Sequence, residues 1–417
     1  MDLEDLTGAS VSRTRVPHPR EEIRCPPGVP SPLGESDPHQ PEPGTDGPER
    51  GDPGPGRPFV KPMPPELFDV HGSCAEMRWE AMRGRGFHVP NDRFFVRNHT
   101  STPLIDAATW RLRLHGSGLR SPRHFTYDEL LALPPRTMDV AIECAGNGRS
   151  FFAAQQGLHT PGTPWGLGAV GVARWRGVPL ATILTLAGVT KDAVDVLPSG
   201  LDPEYVDNGV NLGHVRRPLP IAKALDDVLL AYEMNGERLP PDHGFPARLV
   251  VPGWTGIASI KWVGDIEVST TPLASPWSTD LYRMLGPGQS GEPLTTQVVK
   301  SAFELPWNAT LRLGHRQVLH GRSWSGNGRV VRVEVSFDGG RSWRRALTRG
   351  QGVAAGQGVA AAWTPWHITW FPREPGPYVL LARATDETGA TQPTRTPYNT
   401  LGYLFDGIVE HHITVAD

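Results

Sequence analysis

A cysteine in a loop of small residues is the clearest candidate for chemistry in this chain. Glu143-Cys144-Ala145-Gly146-Asn147-Gly148-Arg149-Ser150 follows the apolar run Val140–Ile142. Small residues let the backbone approach a bound group closely. Three chemistries stay open for Cys144 on its own. It could be a buried small hydrophobe, a nucleophile with a base such as His243, or a thiolate that ligates a metal. A neighbouring arginine favours the thiolate. The other cysteines, Cys25 and Cys74, stand far away in the chain, and no CxxC, haem or zinc spacing occurs. The odd number and wide spacing argue against a disulfide scaffold.

A second pattern, Gly166-Leu-Gly168-Ala-Val-Gly171, fits the GxGxxG form of dinucleotide binding. That motif needs a strand before it and a helix after it. Here Pro161, Pro164 and Trp165 precede it, and Ala173-Arg-Trp-Arg-Gly follows. The segment reads as a loop leading into a strand, and a nucleotide role is set aside.

The elements that must position Cys144 can be read from composition and periodicity. A chain of 417 residues suits two domains with extras rather than one core. The first 58 residues hold no Phe, Trp or Tyr, and 16 of the 43 prolines lie before residue 66. Residues 1–58 are therefore expected to be a disordered, Pro-rich tail. From Phe59 short apolar runs alternate with Pro/Gly turns: Phe94–Val96, Trp110–Leu114, Val140–Ile142 and Leu249–Val251. Asp128 to Leu133 and Leu180 to Ala187 have helical spacing, the second ending near Gly188. This mixture predicts an α+β domain over 59–275. Beyond it, Val331, Val333, Val335 and Phe337 alternate with polar residues, Asp338-Gly339-Gly340 supplies a turn, and Tyr378–Ala384 reads as another strand. Residues 290–417 are expected to form an immunoglobulin-like β-sandwich.

A net charge of -3 and an isoelectric point near 6.6 give no overall field that would draw the chain to nucleic acid or an anionic membrane. No apolar run reaches the roughly 18 residues of a membrane span. The N-terminus shows neither an apolar signal core nor a twin-Arg pair, so a cytoplasmic location is expected, or a periplasmic one if the true start lies elsewhere.

Four ordered segments carry a resemblance. They are Phe94-Phe-Val-Arg-Asn-His99, the Cys144 loop, Ala231-Tyr-Glu-Met-Asn-Gly-Glu-Arg-Leu-Pro-Pro-Asp-His-Gly-Phe-Pro246, and Arg248-Leu-Val-Val-Pro-Gly-Trp254 with Ser259-Ile-Lys-Trp262. In order and spacing they resemble the sulfite oxidase family over roughly residues 60–417. The resemblance implies a sulfite-oxidase-type molybdopterin-binding domain followed by an immunoglobulin-like dimerisation domain. It implies molybdenum held by a molybdopterin dithiolene and by one protein thiolate, which falls on Cys144. The positions that would hold the cofactor fall on Phe95, Val96, Arg97, Asn98, His99, Asp202, His243, Arg248, Ser259, Ile260 and Lys261. Arg248 and Lys261 suit a phosphate, and Asp202 suits pterin N–H groups.

The same resemblance assigns the substrate pocket to Arg97, Arg149, Trp165 and Tyr282. A guanidinium fork suits a small oxyanion. The implied reaction is oxygen-atom transfer, with sulfite or a related sulfur oxyanion oxidised and electrons passed to an external acceptor such as a cytochrome. Reduction of S-oxides or N-oxides is the alternative. A homodimer through the C-terminal domain is expected, with Trp363, Trp366 and Trp370 offering apolar surface. Two departures bear on the substrate. Trp363-Thr-Pro-Trp-His-Ile-Thr-Trp370, read as the stretch that lends the pocket a basic residue, has His367 but no Arg. Gly148 stands where sulfite-specific members often carry a second Arg.

Overall fold

The computed structural model describes residues 58–348 and 361–417. The expected tail, up to residue 57, lies outside the described residues. No described helix is long and apolar enough to cross a membrane.

The first domain is built on two five-stranded sheets. One has the order Leu219–Pro220, Asp195–Gly200, Val263–Ser269, Arg111–His115, Arg123–Thr126. The other runs Glu237–Arg238, Leu229–Met234, Val170–Pro179, Arg136–Glu143, with Arg248–Val250 also paired to Leu229–Met234. Short helices cover them, formed where the sequence places caps and apolar spacing. Thr126 and Glu129 make a reciprocal capping box ahead of Tyr127–Ala132. Leu180–Leu186 buries Leu180, Ile183 and Leu184, the i, i+3, i+4 stripe. The expected mixed α/β domain is thus present.

The C-terminal sandwich packs a four-stranded sheet (Lys300–Phe303, Gln317–Trp324, Thr364–Trp370, Leu347–Thr348) against a five-stranded one (Ala309–Arg312, His411–Ala416, Gly376–Asp386, Val330–Ser336, Arg344–Arg345). One detail of the expected alternation is wrong. Val333 and Val335 are buried, but Val331 is 49% exposed and Val330 is buried instead. The register shifts between Val330 and Arg332, and a bulge of this kind reverses the facing of the residues beyond it.

The strand Arg136–Glu143 is buried from Met138 to its end and delivers the Cys144 loop. The loop is fixed from the second domain. Lys300 Nζ donates to Glu143 Oε1 and to the Asn147 carbonyl, both at 2.8 Å. Asn147 Nδ2 donates to the same carboxylate at 3.0 Å, and its Oδ1 accepts from Ala169 N at 3.1 Å. Both ends of the ion pair are almost wholly buried. Trp79, Trp324 and Trp363 pack together across the same seam, at ring distances of 5.8 and 6.2 Å.

Breaking a buried pair leaves a lone charge in low dielectric, so Lys300→Met should cost about 3–5 kcal/mol of unfolding free energy. Adding Glu143→Leu should restore most of that loss. Urea titration of the three proteins tests this; a single-variant loss under about 1 kcal/mol, the range of an exposed pair, would contradict it.

Candidate active site

Two cavities meet at Cys144. The inner one is lined by Phe95, Arg97, Asn98, His99, Asp202, His243, Arg248, Ser259, Ile260 and Lys261, with Asp242 and Tyr282. The outer one is lined by Arg149, Trp165, Tyr205, Leu401 and Tyr403. Arg97, His99, Cys144 and Tyr282 line both. The structure therefore brings together every residue assigned from the sequence except one. Val96 is 1% exposed and sits in a core with Phe59, Phe68 and Ala75. Successive strand residues face opposite ways, so Phe95 and Arg97 reach the cavity and Val96 turns away from it.

The electrostatics of the site are unusual for a protein interior. Arg149, Arg217 and Arg248 are buried, and Arg97 and Lys261 are half-buried in the cavity wall. Among the described residues none of the five forms an ion pair with a carboxylate. Arg248 donates to the carbonyls of His243 and Ser259, each at 3.0 Å. Lys261 donates to Asn98 Oδ1 and to the Asp242 carbonyl. Arg217 donates to the carbonyls of Trp277 and Leu294. Burial alone pulls the Arg248 guanidinium down to about 9. Burial, with Arg248 nearby, holds Lys261 well below its ordinary value. Burial likewise brings Lys61 to about 7; its Nζ lies 3.2 Å from His243 Nε2. The Asp242 carboxylate is already taken by the amides of Val60 and Lys61 and by the Thr102 hydroxyl. Asp202 and Asp242 act on Lys261 without forming an ion pair with it; buried cations without paired carboxylates are costly, and a bound anion would relieve that cost.

Other features point the same way. Asp202 Oδ1 is buried with no hydrogen-bond partner, and burial raises the pKa of this carboxyl. Donors on a bound group would satisfy it. Burial pushes the Cys144 thiol up, against the pull of Arg97 and Arg149. No described hydrogen bond joins its sulfur to a histidine, which leaves the nucleophile–base reading without geometric support. A metal would ionise such a thiol directly. Tyr282 donates toward His99 Nε2 at 3.2 Å, Trp277 Nε1 donates to the same nitrogen at 3.3 Å, and Arg97 Nη2 lies 3.3 Å from the Tyr282 hydroxyl. Tyr282 (φ 54°) and Trp262 (φ 53°) occupy left-handed conformations, a strain that side chains of this size accept only where the surroundings impose it.

Comparison with known proteins agrees with this architecture. Residues 99–277 match the model of the oxidoreductase molybdopterin binding domain, and 296–415 that of the Mo-co oxidoreductase dimerisation domain. Sulfite oxidase of Gallus gallus is 35% identical over 322 residues, covering 74% of this chain and 68% of its own. The chain belongs to the sulfite oxidase family. The mitochondrial sulfite oxidase of Mus musculus is 32% identical over 86% of this chain, which spans 65% of the mouse protein, just under two thirds. The NADH nitrate reductase of Ulva prolifera is 31% identical over 76% of this chain and 39% of its own. The structure of the sulfane dehydrogenase SoxCD from Paracoccus pantotrophus superposes with a TM-score of 0.69 at 30% identity, over 83% of this chain and 84% of that one.

The site fits the cofactor of the sulfite oxidase family. Cys144 offers the thiolate, Arg248 and Lys261 the charge for a phosphate, and Asp202 an acceptor for pterin N–H groups. One expectation needs correction. His367 lies in the strand Thr364–Trp370 and does not line the outer cavity; the C-terminal residues that do are Leu401 and Tyr403. The departure read at Gly148 has a backbone counterpart: its φ is 90°, and a Cβ there would lie 3.1 Å from the Phe405 side chain, which favours glycine. Sequence reading missed Tyr403, Leu401, Tyr205, Asp242 and Lys61. Asp242 adjoins His243 in a quoted motif and could have been found; Tyr403 lies far along the chain without any local signal. The GxGxxG segment binds its own chain: Gly166 N and Gly168 N donate to the buried Glu76 carboxylate at 2.8 and 3.0 Å.

Replacing Cys144 by Ser keeps size but substitutes a harder, weaker donor. Cys144→Ser is expected to change the visible absorption of the purified protein and to abolish turnover. Wild-type absorption and turnover in the variant would contradict the ligand assignment.

Proposed function

We propose that this chain oxidises a small sulfur oxyanion, sulfite or a close relative, and delivers two electrons to an external acceptor such as a cytochrome. The observation that carries this reading is the pair of guanidiniums, Arg97 and Arg149, flanking Cys144 and Tyr282 without a carboxylate partner. The molybdenum cofactor, when bound, supplies two-electron oxygen-atom transfer, with water as the oxygen source.

The chain's own residues do the rest. Arg97 and Arg149 draw in the anion and offset the negative charge it brings. Arg149 is held for this by its Nε and Nη1, which donate to the carbonyls of Leu401 and Thr163 at 3.1 and 2.8 Å. Trp165, 1% exposed and set edge-on to His71 at 5.8 Å, forms a rigid wall. Burial raises the Tyr282 phenol further above neutrality, so it keeps its proton and donates a hydrogen bond. His99 is held neutral by burial and by Arg97 and Lys261, so its ring accepts rather than competes for the anion. The similarity to nitrate reductase supports a second reading, reduction of an N-oxide or S-oxide at the same arginine pair.

Each charge-assisted hydrogen bond is worth roughly 1.5–3 kcal/mol, or about 10- to 150-fold in binding. Arg97→Gln should raise KM for sulfite by that factor, and the effect should shrink at high salt. Steady-state kinetics at two ionic strengths check it; sulfite turnover insensitive to Arg97→Gln would remove the oxyanion reading.

We also propose a homodimer through the C-terminal domain, supported by the match over residues 296–415. The tryptophans are not its surface: Trp363, Trp366 and Trp370 are 0%, 1% and 8% exposed and fill cores within the protomer. Among this domain's exposed apolar residues are Leu347, on the edge strand Leu347–Thr348, and Phe371, just after Thr364–Trp370, at 66% and 53%. Light scattering at micromolar concentration should give twice the chain mass; a monomer mass would contradict the proposal.

A further inference from the structure

The outer cavity is larger than a small inorganic ion needs. Its volume is about 390 Å³, within the range of roughly 300–1,000 Å³ seen for organic ligands. Sulfite, a sulfur with three oxygens, fills little of that. Arg97 and Arg149 are the cavity's two guanidiniums, and both are partly engaged. Arg149 gives two N–H groups to Leu401 and Thr163, and Arg97 gives its own to the Asn98 carbonyl and the Tyr282 hydroxyl. Asp207 adds a carboxylate to the lining, which disfavours a second negative charge on a ligand.

The rest of the lining is mixed: Thr163 and Asn208 are polar, while Trp165, Leu281, Leu401 and Tyr403 offer apolar surface, the last two from the second domain. Tyr403 stacks on Tyr282 with ring centroids 5.3 Å apart and planes 14° from parallel. Arg149 lies over the Tyr403 ring at 5.2 Å. The tyrosine is held in place: Tyr403 N donates to Asn399 Oδ1 and Asn399 Nδ2 donates to the Tyr403 carbonyl, both at 2.8 Å, while Leu404 N donates to the Ala145 carbonyl at 2.8 Å. Leu401 lines the cavity beside it. A ligand here meets the two guanidiniums together with the aromatic and aliphatic side chains packed beside them.

We propose that the preferred substrate is an organic sulfinate, a monoanionic sulfur with two oxygens and one apolar carbon substituent. The two oxygens face Arg97 and Arg149, and the substituent lies against Tyr403, Leu401 and Trp165. This rests on the oxyanion-oxidising reading given above. The reaction balances as sulfinate plus water giving sulfonate, two protons and two electrons. A sulfur–oxygen bond forms at the sulfur lone pair, the carbon–sulfur bond stays intact, and two equivalents of a one-electron acceptor take the electrons.

Holoenzyme from a host that makes the cofactor is assayed with ferricyanide as acceptor, using sulfite and benzenesulfinate in parallel. The expected kcat/KM is at least about tenfold higher for benzenesulfinate, since the aromatic wall favours the ring. Leu401→Arg adds a third cation and removes apolar wall, so the ratio should fall about tenfold or more toward sulfite. Calorimetric titration of the wild type with the two products needs no variant: benzenesulfonate should bind at least about tenfold tighter than sulfate. Oxidation of sulfite alone, or tighter binding of sulfate, overturns the substrate class and leaves oxyanion oxidation standing. A molybdenum-loaded enzyme that oxidises neither compound overturns both.

Discussion

Buried positive charge without paired carboxylates is the constraint around which this structure is arranged. Arg149, Arg217 and Arg248 lie in the interior and Arg97 and Lys261 line its central cavity, and their partners are carbonyl, amide and hydroxyl oxygens rather than acids. Folding such a set costs free energy that an apolar core of the same size would not cost. The arrangement makes physical sense when an anion completes it. In our proposal the inner cavity holds the phosphate and pterin of the cofactor and the outer one an anionic substrate, with Cys144 at the junction.

The two domains share the work of holding that junction. The first domain brings Cys144 at the end of a buried strand and surrounds it with loops. The second reaches in twice. Lys300 fixes the Cys144 loop through Glu143 and Asn147, and the segment from Asn399 to Phe405 lays Tyr403 against Tyr282. The domain that matches the dimerisation model thus also shapes the wall of the outer cavity.

Local signals in the sequence carried much of this. The helix Leu180–Leu186, the strand under Cys144 and the turn at Asp338–Gly340 follow from apolar spacing and turn residues, which act over a few positions. Most cavity residues from Phe95 to Lys261 were legible because they cluster in four short motifs; Trp165 and Asp202 lie outside those motifs. Failures occurred where tertiary structure decides. Val96 sits inside a motif, but the pleat turns it into a core. A bulge turns Val331 outward in an alternating run. The tryptophans of Thr364–Trp370 and the preceding Trp363 looked like spare surface, yet the sandwich and the domain seam bury them. Tyr403 reaches the pocket through a long-range packing arrangement that no local pattern announces.

The central claim, that a phosphate-bearing molybdenum cofactor balances these cations, is tested most directly by composition. The chain is purified from a host that makes the cofactor, and molybdenum and covalently bound phosphorus are measured on the same sample. The account predicts about one molybdenum and about one phosphorus per chain, in keeping with a single charge-matched site. Folded protein that carries neither would contradict it.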